Sequence, residues 1–180
     1  MRRTATLILI LLGVSMVAPG MAWSKQKTIT EGPSYLVREV RHELLMLPYL
    51  SVFDNLTFKV DGYNVELDGE VVNPVLKSDA ERVVKKIEGV ENVTNNIKVL
   101  PVSESDWALR RALFRAIYGE AALNRYALQA VPPIHIIVDN GHVELVGVVA
   151  SEGDKNIANI RANGVPGVFS VENHLVVEKS

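Results

Sequence analysis

The chain has 180 residues, 48% of them hydrophobic and 22% charged, with a formal net charge of −2 and no cysteine. That near-neutral, slightly acidic balance lacks the basic footprint of a nucleic-acid binder. The absence of thiols excludes a disulfide framework, a cysteine nucleophile and the lipid-bearing cysteine of a bacterial lipoprotein.

At the N-terminus, Arg2 and Arg3 precede an apolar run from Leu7 to Val17, followed by Ala18, Pro19 and Gly20. A basic start, a short apolar core and small residues at its end describe a secretory signal peptide, here residues 1–22. The run is shorter than the ~20 residues of a spanning helix. Its removal takes away two arginines and no acid, so the net charge falls from −2 to −4. The remaining chain reads as exported, soluble and mildly acidic. Residues 23–33 are polar, with Gly32 and Pro33, and read as a flexible arm.

Ser34 stands at the cap of a first helix, in which Leu36, Val40, Leu44 and Leu47 form one apolar stripe that Pro48 ends. Leu56, Phe58 and Val60 then alternate with Thr57 and Lys59. After an Asp61-Gly62 turn, Val65, Leu67 and Val71 alternate with Glu66, Asp68 and Glu70, which predicts a β-hairpin. Asn73 caps a second helix with Pro74 at its first position and a buried stripe of Leu76, Ala80, Val83, Val84 and Ile87. Gly89 closes it, and residues 93–99 supply a third strand.

The same order recurs. Residues 102–105 form a linker, Ser103 and Asp106 stand at capping-box spacing, and a helix is predicted over Trp107–Tyr118. An insert, 119–131, has helical character around 121–128. Strand 134–138, a turn at Asn140-Gly141, a second alternating run, a helix over 152–163 capped by Ser151, and a last strand over 171–177 complete the unit. Between Val60 and Val138 the offset is 78 residues, and it holds without a gap through Ala80 and Ala158, Gly89 and Gly167, Asn95 and Asn173, and Val99 and Val177. The chain is therefore a duplicated α-β-β-α-β unit. The fold class is α+β: two tandem two-layer sandwiches, each a three-stranded mixed sheet covered on one face by two helices, over 34–101 and 106–180.

The apolar strand into Asp61-Gly62 or Asn140-Gly141, the Val-Glu-Leu-x-Gly-x-Val of the following strand, and Gly89-Val90-x-x-Val93 with Gly167-Val168-x-x-Val171 resemble the BON domain (bacterial OsmY and nodulation domain), present twice. The resemblance implies a periplasmic or envelope-associated, non-catalytic protein that binds phospholipid or proteins. It carries no catalytic residue. The residues agree: there is no nucleophile elbow and no phosphate-cradling glycine loop followed by lysine.

Three features invite a functional reading. On the helix predicted over 107–118, Leu109, Ala112, Leu113, Ala116 and Ile117 gather on the core side. Trp107, Phe114 and Tyr118, with Arg110, Arg111 and Arg115, gather on the other. Aromatics mixed with arginines suit an anionic phospholipid boundary or a hot spot for an envelope protein partner. The insert or the first repeat folding over that face is the alternative. Second, Ile137, Val146, Val148 and Val176 make the outer sheet face of repeat two apolar, where repeat one has Lys59, Asp68, Glu70 and Lys98. Such a patch marks a contact: between the repeats, with a client of a soluble periplasmic chaperone or adaptor, or in a homo-oligomer. Third, His135 and His174 share the face of Glu144 and would approach a metal-ligand set if their strands were neighbours. Repeat one has Thr57 and Asn96 there, so both read as surface histidines, and no metal or cofactor is expected. Gly69 and Gly147 read as positions where a helix backbone nears the sheet.

Overall fold

The computed structural model of the chain describes residues 33–129 and 132–178. The signal peptide over 1–22 and most of the arm over 23–33 lie outside them. Helix α1 (Pro33–Leu45) is followed by the hairpin β1 (Asn55–Asp61) and β2 (Asn64–Val71), then α2 (Pro74–Val84) and a last strand in two pieces, β3 (Asn92–Asn95) and β4 (Lys98–Val99). Repeat two has α3 (Glu104–Tyr118), a short 3-10 helix (Asn124–Leu128), β5 (Ile134–Asp139), β6 (His142–Val149), α4 (Glu152–Asn163) and β7 (Ser170–Val177). In each repeat the hairpin is antiparallel, and its second strand pairs in parallel with the last strand. The result is two mixed sheets, each with two helices, as the duplicated pattern predicts.

The period-2 strands bury one face. Val65, Leu67 and Val71 join Val40, Leu44, Leu76, Ala80 and Val84 in one core. Val143, Leu145 and Val149 join Leu113, Ile117, Ile134, Ile136 and Ala158 in the other. Each such Leu, Ile or Val contributes roughly 1.5–3 kcal/mol relative to exposure. Asn73 and Ser151 act as the predicted caps, accepting from Val75 N at 3.0 Å and Asp154 N at 3.1 Å. Ser103 also caps, accepting from Asp106 N at 3.2 Å, so α3 starts at Glu104, three residues before the predicted start. Asp106 does not bond back to its cap. Its carboxylate accepts from Asn140 N and Gly141 N, both at 3.0 Å, and ties the helix start to the second hairpin turn. Asn140 and Gly141 both have positive φ (51° and 80°), the type I′ geometry that suits a two-residue hairpin.

The predicted role of Gly69 and Gly147 is corrected. Both have positive φ, 108° and 126°, and a Cβ there would overlap the carbonyl oxygen of Asn55 or Pro133 in the adjoining chain segment. The close approach is made by the neighbouring strand, not by a helix. A second shared device appears only in three dimensions. Asn95 Nδ2 donates to Lys77 O of α2 at 2.9 Å while its Oδ1 accepts from Ile97 N at 3.2 Å. Asn173 does the same with Lys155 O of α4 at 3.0 Å and Leu175 N at 3.2 Å. One amide thus fastens the last strand to the second helix in both repeats.

Candidate functional site

The joint between the repeats is built from the segment between α1 and β1. Its fold is set by Asp54, a buried carboxylate that accepts from Ser51 N (3.0 Å), Ser51 Oγ (2.6 Å) and Val72 N (2.7 Å). Three donors satisfy the charge and turn residues 51–54 outward toward repeat two. There Val52 O accepts from Ile136 N at 2.7 Å, and Asp54 O accepts from His135 Nδ1 at 2.6 Å. Burial holds the His135 imidazole below its usual range, against the raising effect of the Asp54 carbonyl and carboxylate. Lys98 of β4 reaches Asp139 at 2.7 Å on the far side of the same contact.

Phe53 then lands on α3. Its ring meets Trp107 and Phe114 edge-on, with centroids 6.0 and 6.3 Å apart, and Phe114 packs on Tyr118 at 4.9 Å. Val52, Phe53, Phe114, Arg111 and Arg115 line a shallow groove of about 340 Å³ along this seam. The floor is apolar, and the two guanidinium groups, one helical turn apart, stand exposed at its rim.

Of the six residues expected on the aromatic and arginine face, four remain at the surface and two do not. Trp107 is 37% exposed, Phe114 is partly covered, and Arg111 and Arg115 are exposed. Arg110 is fully buried, at 0% exposure, with Nη2 donating to Val138 O at 2.5 Å and its guanidinium 5.4 Å from the Trp107 ring. Its Nε and Nη1 make no hydrogen bond within the described structure. Burial lowers its pKa, while Asp106, Asp54 and Asp139 pull it back up. Tyr118 is also buried, its hydroxyl donating to Ile134 O at 2.6 Å and accepting from Ile134 N at 3.2 Å, and burial drives its pKa upward. Both positions follow a core residue by one, about 100° around the helix, and that flank faces the edge of β5 rather than solvent.

The cover comes from repeat one. The insert folds the other way: Tyr126 hydroxyl (3.0 Å) and Arg125 Nη2 (2.6 Å) donate to Asp154 at the start of α4. Phe53 is the residue that the sequence reading missed. Its signal is an apolar pair, Val52-Phe53, outside any periodic run.

On the outer sheet face Ile137 is buried, and Glu70, Lys98 and Leu100 of repeat one line the cleft beside it. Val146 is half-buried, while Val148 and Val176, register partners on β6 and β7, stay exposed. His135 and His174 flank β6 on opposite sides, both paired with Val146, so their strands are not neighbours. Two strand spacings, about 10 Å, separate them.

Two stretches, residues 34–101 and 120–179, match the model of the BON domain. The chain belongs to the BON-domain family. The chain is 31% identical over 123 residues to Osmotically-inducible protein Y of Escherichia coli (strain K12). The alignment takes in 67% of this chain and 61% of that protein, so the chain spans less than two thirds of that relative's length. Among solved structures, the chain is similar to the C-terminal domain of CdsD, the structural protein of the type III secretion system of Chlamydia trachomatis. There the identity is 14%, the TM-score 0.28, and the coverage 80% of this chain and 98% of that one. A second CdsD structure gives 15%, 0.31, 81% and 93%.

Proposed function

We propose that this BON protein is an exported, periplasmic binding module, not an enzyme. In this reading it engages anionic phospholipid, or a membrane-associated protein, through Trp107, Arg111, Phe114 and Arg115, with Phe53 as part of the floor. Arg110 and Tyr118 drop out as contact groups and hold the surface in place instead. One observation carries the reading: two exposed guanidinium groups border an apolar groove between the repeats. Arginines at such a rim pair with phosphate oxygens while rings lie half-immersed. Each would add roughly 1 kcal/mol near an anionic surface, a modest pull that salt weakens. The name of the Escherichia coli relative, osmotically inducible, supports a role in envelope integrity under osmotic stress.

Co-sedimentation with vesicles tests this. The protein is expected to pellet with phosphatidylglycerol-containing vesicles, less with phosphatidylcholine alone, and to lose pelleting on Arg111→Glu plus Arg115→Glu. No pelleting with anionic vesicles at low salt removes the lipid reading. A second reading, a periplasmic chaperone or adaptor, draws support from the adjacent exposed Val148 and Val176. Protection of an unfolded client, lost on Val148→Lys, would favour it.

A further inference from the structure

In a hairpin closed by a two-residue turn, the residues flanking the turn bond to each other, and alternate residues back from them point their backbone groups outward. On β5 the outward residues are Ile134, Ile136 and Val138. Each is served: Ile134 by the Tyr118 hydroxyl, Ile136 N by Val52 O, and Val138 O by Arg110. The outer edge of repeat two is closed from within the chain.

On β1 the outward residues are Leu56, Phe58 and Val60. No hydrogen bond reaches their outward groups among the described residues, and their side chains are only partly buried. The difference lies in the first helix. With Leu36, Val40 and Leu44 aligned on Leu109, Leu113 and Ile117, Val37 and Leu45 take the places of Arg110 and Tyr118. Both are apolar, 36% and 48% exposed, and neither side chain can hydrogen-bond a strand edge. Repeat one thus presents an open ladder flanked by an apolar stripe, a combination that native proteins cover, charge or pair.

Symmetry and charge decide what pairs with it. Outward groups must meet outward groups, so an antiparallel second copy of β1 can be centred on Thr57, Phe58 or Lys59. Centring on Lys59 sets two ammonium groups directly opposite each other, which is unfavourable. Centring on Thr57 brings Val60 against Asp54, whose N–H already donates to Ser51 O and whose C=O already accepts from His135. Centring on Phe58 pairs Leu56 with Val60 and Phe58 with its own copy, and every outward N–H and C=O finds a partner. The outer face across that seam then reads Asp68, Thr57, and Lys59 and Glu66 of the second copy. Each ammonium lies between a hydroxyl and a carboxylate, and no like charges meet. The helix flank is complementary about the same axis. Val37 lies toward Val60 and Leu45 toward Leu56, as Arg110 lies by Val138 and Tyr118 by Ile134. Val37 of one copy therefore meets Leu45 of the other.

We infer that this chain forms a closed twofold dimer by antiparallel pairing of β1 with β1 about Phe58, with the Val37 and Leu45 flanks packed across the seam. Such an isologous contact stops at two copies. It uses neither Arg111 nor Arg115, so it stands or falls separately from the groove.

Sedimentation velocity of the purified chain, up to hundreds of micromolar, is expected to show a reversible monomer–dimer equilibrium. Leu45→Glu should leave only monomer. Thr57→Lys sets like charges opposite at both symmetric places and should weaken the dimer by roughly 2- to 30-fold. Adding Lys59→Thr to it exchanges the two residues and should restore the affinity. The chain has no cysteine, so a mixture of Thr57→Cys and Lys59→Cys should oxidise to a disulfide-linked dimer, and Lys59→Cys alone should not. All three positions are exposed, so folding is preserved, and circular dichroism checks it. Wild-type protein monomeric throughout the range overturns the inference. So does a dimer indifferent to both Leu45→Glu and Thr57→Lys, which would place the contact on another face. Dimer seen only after deletion of residues 23–32 overturns it as well, since the chain's own N-terminal arm would then cover the edge.

Discussion

Replacing Phe53 with alanine should uncouple the two BON domains. Removing a fully buried phenylalanine costs about 3–5 kcal/mol. Phe53 is half-buried, so the burial contribution scales to about 2 kcal/mol, to which two edge-on ring contacts add about 0.5–1.5 kcal/mol each. A loss of about 3–5 kcal/mol should lower the melting temperature by about 6–20 °C at this chain length and split a single transition into two. Because the ring covers Trp107, acrylamide quenching of that indole should rise, measured in a Trp23→Phe background so that one tryptophan reports. Phe53→Leu should recover most of the loss. Unchanged quenching with a melting temperature within a degree of wild type would refute the claim that Phe53 holds the domains together.

Tyr118→Phe leaves the buried N–H and C=O of Ile134 without their hydroxyl, and should cost about 2 kcal/mol or more in urea denaturation; a change under a few tenths would mean the hydroxyl is replaceable. His135 is held below its ordinary pKa of about 6.5 by burial, so below that pH the unfolded chain binds the extra proton and the folded one resists it. The stability it contributes is therefore complete above about pH 6.5 and declines as pH falls through that value, which urea midpoints from pH 8 to 5 would show and His135→Gln would flatten. Glu70, raised by burial and by Glu144, acts with the opposite sign at lower pH, which sets the lower end of that comparison.

The duplication, both hairpins, the caps Asn73, Ser103 and Ser151 and the core stripes were legible because each depends on local periodicity or on a side chain bonding a few residues away. Ser34, expected as a cap, lies inside α1, which starts at Pro33. Asn95 and Asn173 aligned in the repeat, yet their bonds to Lys77 O and Lys155 O cross between elements and leave no periodic trace. The site was half legible for the same reason. A helical wheel separates Leu109, Leu113 and Ile117 from the remaining arc, but it does not register that a strand edge flanks the helix. Arg110 and Tyr118 therefore looked like surface residues while they serve Val138 and Ile134. Phe53 lies in a loop, where no period exists to predict which repeat it will touch.

Residues 51–54, rather than the connection at 101–103, hold the two domains against each other. Val102 there is almost wholly exposed, and the described peptide around it bonds to the domains only at its ends. Covalent continuity and mechanical attachment are thus carried by different stretches of polypeptide. A molecule nicked between Pro101 and Ser103 would keep its shape, and a gene split at that point would encode two pieces able to find each other.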